Sequence, residues 1–129
     1  MTPLSIVVIE DDAITLEMIT VALESRLEAN VFPFSKSKTA RDFLLKQTNS
    51  SIDLIISDQQ MPDYEGLELL EACKSTTLDV PFLLITAEAS RDMVISAKML
   101  GVSGFLAKPV DMEELADKVL RVTGAQSAV

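Results

Sequence analysis

The chain has 129 residues, a length typical of one domain, and its 48% hydrophobic and 24% charged residues are an ordinary globular balance. Its formal net charge of −9 disfavours direct binding to nucleic acids or to anionic membranes. The lack of histidine excludes a histidine base, a histidine metal ligand and a phosphohistidine within this chain, and the single cysteine excludes an internal disulfide. No apolar run reaches the roughly 18 residues of a membrane span, so we expect a cytoplasmic protein.

Short apolar runs alternate with longer stretches of helical periodicity in the first half of the chain. Residues 5–9 predict a strand that ends at Glu10-Asp11-Asp12, and apolar residues then recur at helical spacing. The run 31–34 contains Pro33, which cannot donate to a sheet ladder, so it predicts an edge strand. A helix over about 39–46 and a third strand over 52–57 follow.

The second half continues the same alternation. After the turn-rich loop DQQMPDYEG, a helical pattern includes Cys73, which we interpret as a core residue. A fourth strand is predicted over 80–86, and a helix over about 90–100 ends at Gly101. A fifth strand over 103–107 precedes a capping box, in which Asp111 and Glu114 would open the last helix.

Five strands alternating with five helices predict an α/β fold. Because the strands are near-continuous apolar runs, the sheet should be parallel and covered on both faces. Right-handed crossovers then give a doubly wound sheet, although this pattern leaves the strand order open. We expect one domain over residues 1–124 and a short polar tail over 125–129.

Polar residues follow four of the predicted strands at the point where each strand ends. They are Glu10 with Asp11, then Asp58, Thr86 and Lys108. Ligands bind at this edge of open α/β sheets, so these side chains should meet in one crevice. Converging carboxylates repel one another unless a hard cation such as Mg²⁺ joins them. A carboxylate nucleophile, a metal, an ammonium group and a hydroxyl together point to phosphoryl transfer.

Each of these residues also has an ordinary structural interpretation. The acidic run could be a solvated turn, Asp58 a turn former, Thr86 a cap and Lys108 a surface lysine. Their occurrence at equivalent positions of the βα repeat favours the functional interpretation.

With these residues, the chain resembles the receiver domains of bacterial response regulators over about residues 5–122. The motifs that carry the resemblance are IVVIEDD, DLIISDQQMPDYEG, PFLLITAEA and GFLAKPV. It implies a flavodoxin-like, five-stranded parallel sheet in the order 2-1-3-4-5 with five helices.

The resemblance also implies a role for each residue of the crevice. Asp58 would be the phosphoacceptor, and Asp11 and Asp58 would bind Mg²⁺ directly. Glu10 would bind the metal mainly through water, and the backbone carbonyl of Gln60 would complete the protein ligands. Lys108 would pair with the phosphoryl group.

A conformational switch is implied as well. Thr86 would move to hydrogen-bond a phosphoryl oxygen, and the ring of Phe105 would turn inward when it does. Gln60 and Glu88 stand where side chains tune hydrolysis of the acyl phosphate. The Lys108–Pro109 bond is expected to be cis.

The chain departs from the usual receiver pattern at three places. The first acidic pair is Glu-Asp, where Asp-Asp is commoner. Residue 105 is Phe and lacks the hydroxyl of a tyrosine, so a switch there would work by packing. Tyr64 brings an aromatic ring near the mouth of the site, either as a partner contact or, as we expect, in local packing.

The resemblance implies a signalling switch of a two-component system, not an enzyme that turns over an external substrate. The phosphodonor would be a sensor histidine kinase or a histidine phosphotransfer protein, and the target a downstream effector. The switch would change the face formed by the fourth helix, fifth strand and fifth helix. One alternative is a degenerate receiver that binds partners without phosphorylation. A phosphatase on the same fold is disfavoured, because the chain has no insertion large enough for a cap over the site.

Overall fold

The computed structural model describes residues 2–125 and shows every predicted strand and helix. The strands are β1 (Ser5–Ile9), β2 (Asn30–Phe34), β3 (Leu54–Asp58), β4 (Phe82–Thr86) and β5 (Gly104–Ala107). The helices are α1 (Ala13–Leu27), α2 (Ser37–Leu44), α3 (Gly66–Lys74), α4 (Arg91–Met99) and α5 (Met112–Thr123).

The strands form one parallel sheet in the order β2-β1-β3-β4-β5, as the family resemblance implied. The chain leaves β1 toward one side for β2 and then crosses to the other side for β3. The connection that leaves β3 runs the opposite way, toward β4, so a crevice opens between the carboxyl ends of β1 and β3. This crevice is where the predicted site residues lie.

Alternate residues of each strand enter two separate cores. Val7, Ile9, Ile55 and Leu84 face the core that α2, α3 and α4 cover. On the other face, strand residues such as Ile56 pack under α1 and α5. This two-sided burial explains why the strands read as continuous apolar runs in the sequence.

The predicted edge strand is confirmed. In β2, Pro33 lies beside Val8 of β1, at the border of the sheet. Phe34 still accepts a 3.0 Å hydrogen bond from the Glu10 N–H. Proline is tolerated here because no further strand needs its missing N–H.

Strand and helix boundaries differ from the sequence prediction by up to two residues. β3 begins at Leu54, whereas the apolar run predicted a start at residue 52. Ile52 is only 1% exposed although it lies outside the strand, so burial extends beyond the hydrogen-bonded ladder. α2 begins at Ser37, two residues before the predicted start.

The last helix begins as predicted, but only half of its capping box forms. The Asp111 side chain accepts hydrogen bonds from the Glu113 and Glu114 amides, at 2.9 and 3.0 Å. The Glu114 carboxylate does not reach back; it lies 3.5 Å from Lys118, one turn along the helix. Gly101, with a φ of 84°, follows the end of α4 in the left-handed conformation that glycine allows.

Cys73 is 3% exposed and lies in the core beneath α3, as expected. The Lys108–Pro109 peptide bond is cis. No helix within residues 2–125 is long and apolar enough to cross a membrane. Apart from Ala125, the predicted polar tail lies outside the described residues.

Candidate functional site

The three consecutive acids after β1 have three different environments. Glu10 is completely buried, and Asp11 is exposed. Asp12 caps α1, because its carboxylate accepts from the Thr15 N–H at 3.0 Å and from the Thr15 hydroxyl at 2.5 Å. Only Glu10 and Asp11 are therefore available to the crevice.

Asp58 ends β3 at the centre of the sheet and is 2% exposed. Lys108, which follows β5, reaches across the crevice and donates a 2.9 Å hydrogen bond to Asp58 Oδ2. Its Nζ also lies 2.8 Å from Glu10 Oε1 and forms an ion pair with it. Asp58 Oδ1 is buried and has no hydrogen-bond donor in the described part of the chain.

The buried charges of the crevice shift one another's pKa values. Burial raises the pKa of Glu10 to about 7; the neighbouring Asp58 adds to this rise, while Lys108 and the Asp12 amide oppose it. Burial alone would lower the pKa of Lys108, but Glu10 and Asp58 outweigh it and the net shift is upward. The crevice thus holds carboxylates that one ammonium group neutralises only in part.

Three carboxylates converge closely enough to hold a metal ion. One oxygen from each of Glu10, Asp11 and Asp58 lies within 4.8 Å of the others. Asp58, one of these three residues, also has a buried oxygen, Oδ1, without a hydrogen-bond donor among residues 2–125. Oxygen ligands of this kind suit hard cations such as Mg²⁺ and Ca²⁺, so the residues present fit a divalent metal.

Thr86 ends β4 and is 3% exposed. Its hydroxyl donates to the Glu88 carbonyl at 2.9 Å and accepts from the Glu88 amide at 3.1 Å. The hydroxyl is therefore bound within the loop between β4 and α4. Phe105, on β5, is half-buried against the core beneath α4.

The loop between β3 and α3 holds the remaining predicted residues. Gln60 is exposed, two residues after Asp58. Tyr64 is half-buried against the adjoining core, and the Arg41 guanidinium lies over its ring, 5.3 Å from the centroid. The expected local packing of Tyr64 is confirmed.

Sequence reasoning missed two buried polar residues that support this loop. Ser37, 2% exposed, donates a hydrogen bond to the Pro62 carbonyl and accepts one from the Tyr64 amide. Gln59, 5% exposed, accepts a hydrogen bond from the Leu67 amide. These partners lie 8 to 27 residues away along the chain, so no local pattern identifies them.

An apolar surface adjoins the crevice on the side of α1. A pocket of about 390 Å³ lies between α1 and the connection from β5 to α5, and Lys108 forms part of its wall. Three apolar side chains of α1 are exposed: Ile14 at 72%, Met18 at 51% and Val21 at 52%. Their spacing puts them on one face of the helix.

Known proteins resemble this chain in sequence over most of its length. The plant protein "Two-component response regulator ARR10" of Arabidopsis thaliana is 31% identical over 110 residues, which cover 85% of this chain and 19% of that protein. The "Chemotaxis protein CheY" of Pseudomonas aeruginosa is 33% identical over 76 residues, which cover 57% of this chain and 61% of that protein. The match thus spans about a fifth of the Arabidopsis protein. Because plant relatives occur, a bacterial origin stays a prediction.

A solved structure and a family model point to the same family as the sequence relatives. The crystallised Vibrio cholerae chemotaxis protein CheY4 has a TM-score of 0.83 and 26% identity, and the alignment covers 94% of this chain and 99% of that one. A family model described as "Response regulator receiver domain" matches residues 6–120. The chain belongs to the response regulator receiver domain family.

Proposed function

We propose that this receiver domain is a phosphorylation switch that accepts a phosphoryl group on Asp58. An Asp58 carboxylate oxygen attacks the phosphorus of a phosphohistidine, the phosphorus–nitrogen bond breaks, and an acyl phosphate forms as the donor imidazole leaves. The donor is a sensor histidine kinase or a histidine phosphotransfer protein, and the target is a downstream effector.

One observation carries this proposal: Asp58 Oδ1 is buried in the crevice without a hydrogen-bond donor among residues 2–125. A buried carboxylate oxygen without a hydrogen-bond donor destabilises the fold, so the presence of one here favours a role in chemistry. The other oxygen is oriented by Lys108 at 2.9 Å. The free oxygen can therefore act as the nucleophile without releasing that contact.

Glu10, Asp11, Asp58 and the backbone carbonyl of Gln60 would hold Mg²⁺. When bound, the metal supplies positive charge to the phosphoryl oxygens and reduces repulsion between the carboxylates and the incoming anion. Lys108 contributes a second positive charge from the opposite side of the sheet's carboxyl edge, since it follows β5.

The switch depends on the two hydrogen bonds between Thr86 and Glu88. The bond donated to the Glu88 carbonyl must break if the Thr86 hydroxyl is to donate to a phosphoryl oxygen instead, which loosens the start of the loop before α4. Phe105 lies on the adjacent strand, where Thr86 pairs with Ala107. Movement of Thr86 thus reaches the face formed by α4, β5 and α5, where we expect the effector to bind.

The apolar surface of α1 supports a protein as the phosphodonor. It is continuous with the crevice, because the pocket between α1 and α5 includes Met18 and Lys108. A helix of the donor that packs on Ile14, Met18 and Val21 would bring its phosphohistidine toward Asp58. A small phosphodonor would not need this surface.

Labelling with acetyl phosphate tests the phosphoacceptor directly. Mass spectrometry should show one added phosphoryl group that requires Mg²⁺ and is lost in Asp58→Asn. The matched control is Asp53→Asn at the other end of β3, where the Asp53 side chain accepts from the Ser5 amide. An asparagine can keep that bond, so labelling should persist.

Two results would contradict the proposal. Full labelling of Asp58→Asn would exclude Asp58 as the acceptor. Failure of the folded wild-type protein both to bind Mg²⁺ and to respond to beryllofluoride, a phosphoryl mimic, would support the degenerate receiver instead.

A further inference from the structure

Gln59, the residue directly after Asp58, joins three elements at the base of the site. Its backbone N–H donates to the Ile85 carbonyl at 2.8 Å, which continues the pairing between β3 and β4. Its backbone carbonyl accepts from the Gly66 amide at 3.1 Å, and its side-chain Oε1 accepts from the Leu67 amide at 3.0 Å. One residue thus binds the first two amides of α3 to the end of β3.

These bonds close the loop that carries Gln60. The loop leaves the sheet after Asp58 and returns at Gly66, so both of its ends lie at Gln59. Gly66 is pressed against the backbone of the phosphoacceptor: a Cβ at this position would lie 2.6 Å from the Asp58 carbonyl oxygen. The start of α3 therefore has little freedom to move without moving Asp58 or Gln60.

The side chain of Gln59 satisfies an amide that the capping box of α3, formed by Glu65 and Glu68, leaves free. Within the helix start, the Glu68 side chain accepts from the Glu65 amide at 2.9 Å. The Leu67 amide instead has Gln59 Oε1 as its acceptor. The first amides of a helix lack partners inside the helix, so an acceptor from another element fixes the helix relative to that element.

We propose that Gln59 is a positioning residue that fixes the Gln60 carbonyl and the Asp58 carboxylate for divalent-cation binding. The inference rests on the proposed function, since it concerns the metal that would assist Asp58. Residues that orient metal ligands through hydrogen bonds typically change metal affinity by about 10-fold or more when they are replaced.

Gln59→Met tests the role of the side chain, because it keeps the length and removes the acceptor. We expect its Mg²⁺ dissociation constant to rise about 10-fold. The affinity can be measured by isothermal titration calorimetry or by the fluorescence of Tyr64, the single tyrosine in a chain without tryptophan.

Gln47→Met is the matched control. Gln47 is half-buried, and its side-chain amide donates to the Phe43 carbonyl at 3.0 Å and accepts from the Ser51 hydroxyl at 3.0 Å. It follows α2 at the end of the sheet opposite the crevice, where the loop 45–53 leads into β3. This variant loses two side-chain hydrogen bonds away from the crevice and should keep the wild-type Mg²⁺ affinity.

Gln59→Glu distinguishes the loss of the hydrogen bond from a general effect of substitution on folding. It keeps an acceptor oxygen on a side chain of the same length. It should bind Mg²⁺ at least as tightly as wild type. A 10-fold loss in this variant, or equal affinities for Gln59→Met and Gln47→Met, would overturn the inference. Absence of Mg²⁺ binding by the wild-type protein would instead contradict the proposed function itself.

Discussion

The middle of the sheet and its carboxyl edge are equally buried, but burial has opposite effects on stability in the two regions. Ile56 and Leu84 lie in the strand interiors at 0% exposure, and Glu10 and Asp58 lie at the strand ends at 0% and 2%. Burying the aliphatic side chains stabilises the fold. Burying the carboxylates is unfavourable, and it raises the pKa of Glu10 to about 7.

Stability and the proposed chemistry therefore depend on different parts of the sheet. The strand interiors supply the stability that lets the edge retain crowded, partly unsatisfied charges. Substitutions in the interior should therefore change unfolding much more than substitutions at the edge, and the reverse should hold for phosphorylation.

The largest effect on stability should come from the strand interior. Ile56→Ala removes a fully buried side chain two residues before Asp58 and should lower the free energy of unfolding by about 2–5 kcal/mol. Urea denaturation measures the loss. Ile95→Ala on α4, where the side chain is 45% exposed, is the control and should lose less. Equal losses would remove the distinction between interior and surface.

Gly66→Ala should have the next largest effect. The added Cβ would lie 2.6 Å from the Asp58 carbonyl oxygen and 2.7 Å from a Leu84 methyl group, and backbone cannot easily yield. We expect a loss of about 1–3 kcal/mol by urea denaturation. Gly104→Ala is the comparison: its Cβ would meet only a Leu83 methyl group, at 3.1 Å. A greater loss at Gly104 would contradict the close approach at Gly66.

Asp58→Asn should change metal-free stability by less than about 1 kcal/mol. The substitution removes the repulsion with Glu10 and the attraction to Lys108, and Lys108 keeps Glu10 as its partner. Thermal and urea unfolding without Mg²⁺ provide the measurement. A loss above about 3 kcal/mol would mean that the ion pair is part of the stabilising framework.

At neutral pH the thiol of Cys73 should have the smallest effect of all, because its ionisation changes stability only at alkaline pH. Burial raises the pKa of its thiol from 9.0 to about 11. The unfolded chain therefore loses this proton first, and stability should fall as the pH rises from 9 toward 11. Cys73→Ala should show a shallower fall in urea unfolding over this range. Iodoacetamide at pH 9 should modify the folded protein slowly; rapid modification of the native state would contradict the burial.

Much of the fold could be predicted because its signals are local. The run 5–9 predicted β1 with its observed bounds, and Pro33 marked an edge strand from its missing donor alone. The ends of the strands were harder to predict. Ile52 is buried although it lies outside β3, so the apolar run overestimates the length of the strand at that end. The order of the strands came from the family resemblance, since periodicity does not specify which strands are neighbours.

The site residues could be predicted partly for the same reason. In a βα repeat, polar residues at strand ends must share one edge of the sheet, which brought Glu10, Asp58 and Lys108 together as expected. Their catalytic and metal-binding roles stay predictions. The sequence could not indicate that the third acid, Asp12, is used as a helix cap, because adjacent carboxylates look alike until the backbone orients them.

The sequence was enough to predict the alternation of strands and helices, the parallel sheet and the edge at which polar residues gather. These follow from hydrophobic period and chain direction, which are properties of neighbouring residues. The tertiary structure was needed to reveal three other features: the free oxygen of Asp58, the loop hydrogen bonds of Thr86 and the support of α3 by Gln59. Each depends on the side-chain directions or close approaches that folding fixes, and neither hydrophobic period nor residue type encodes them.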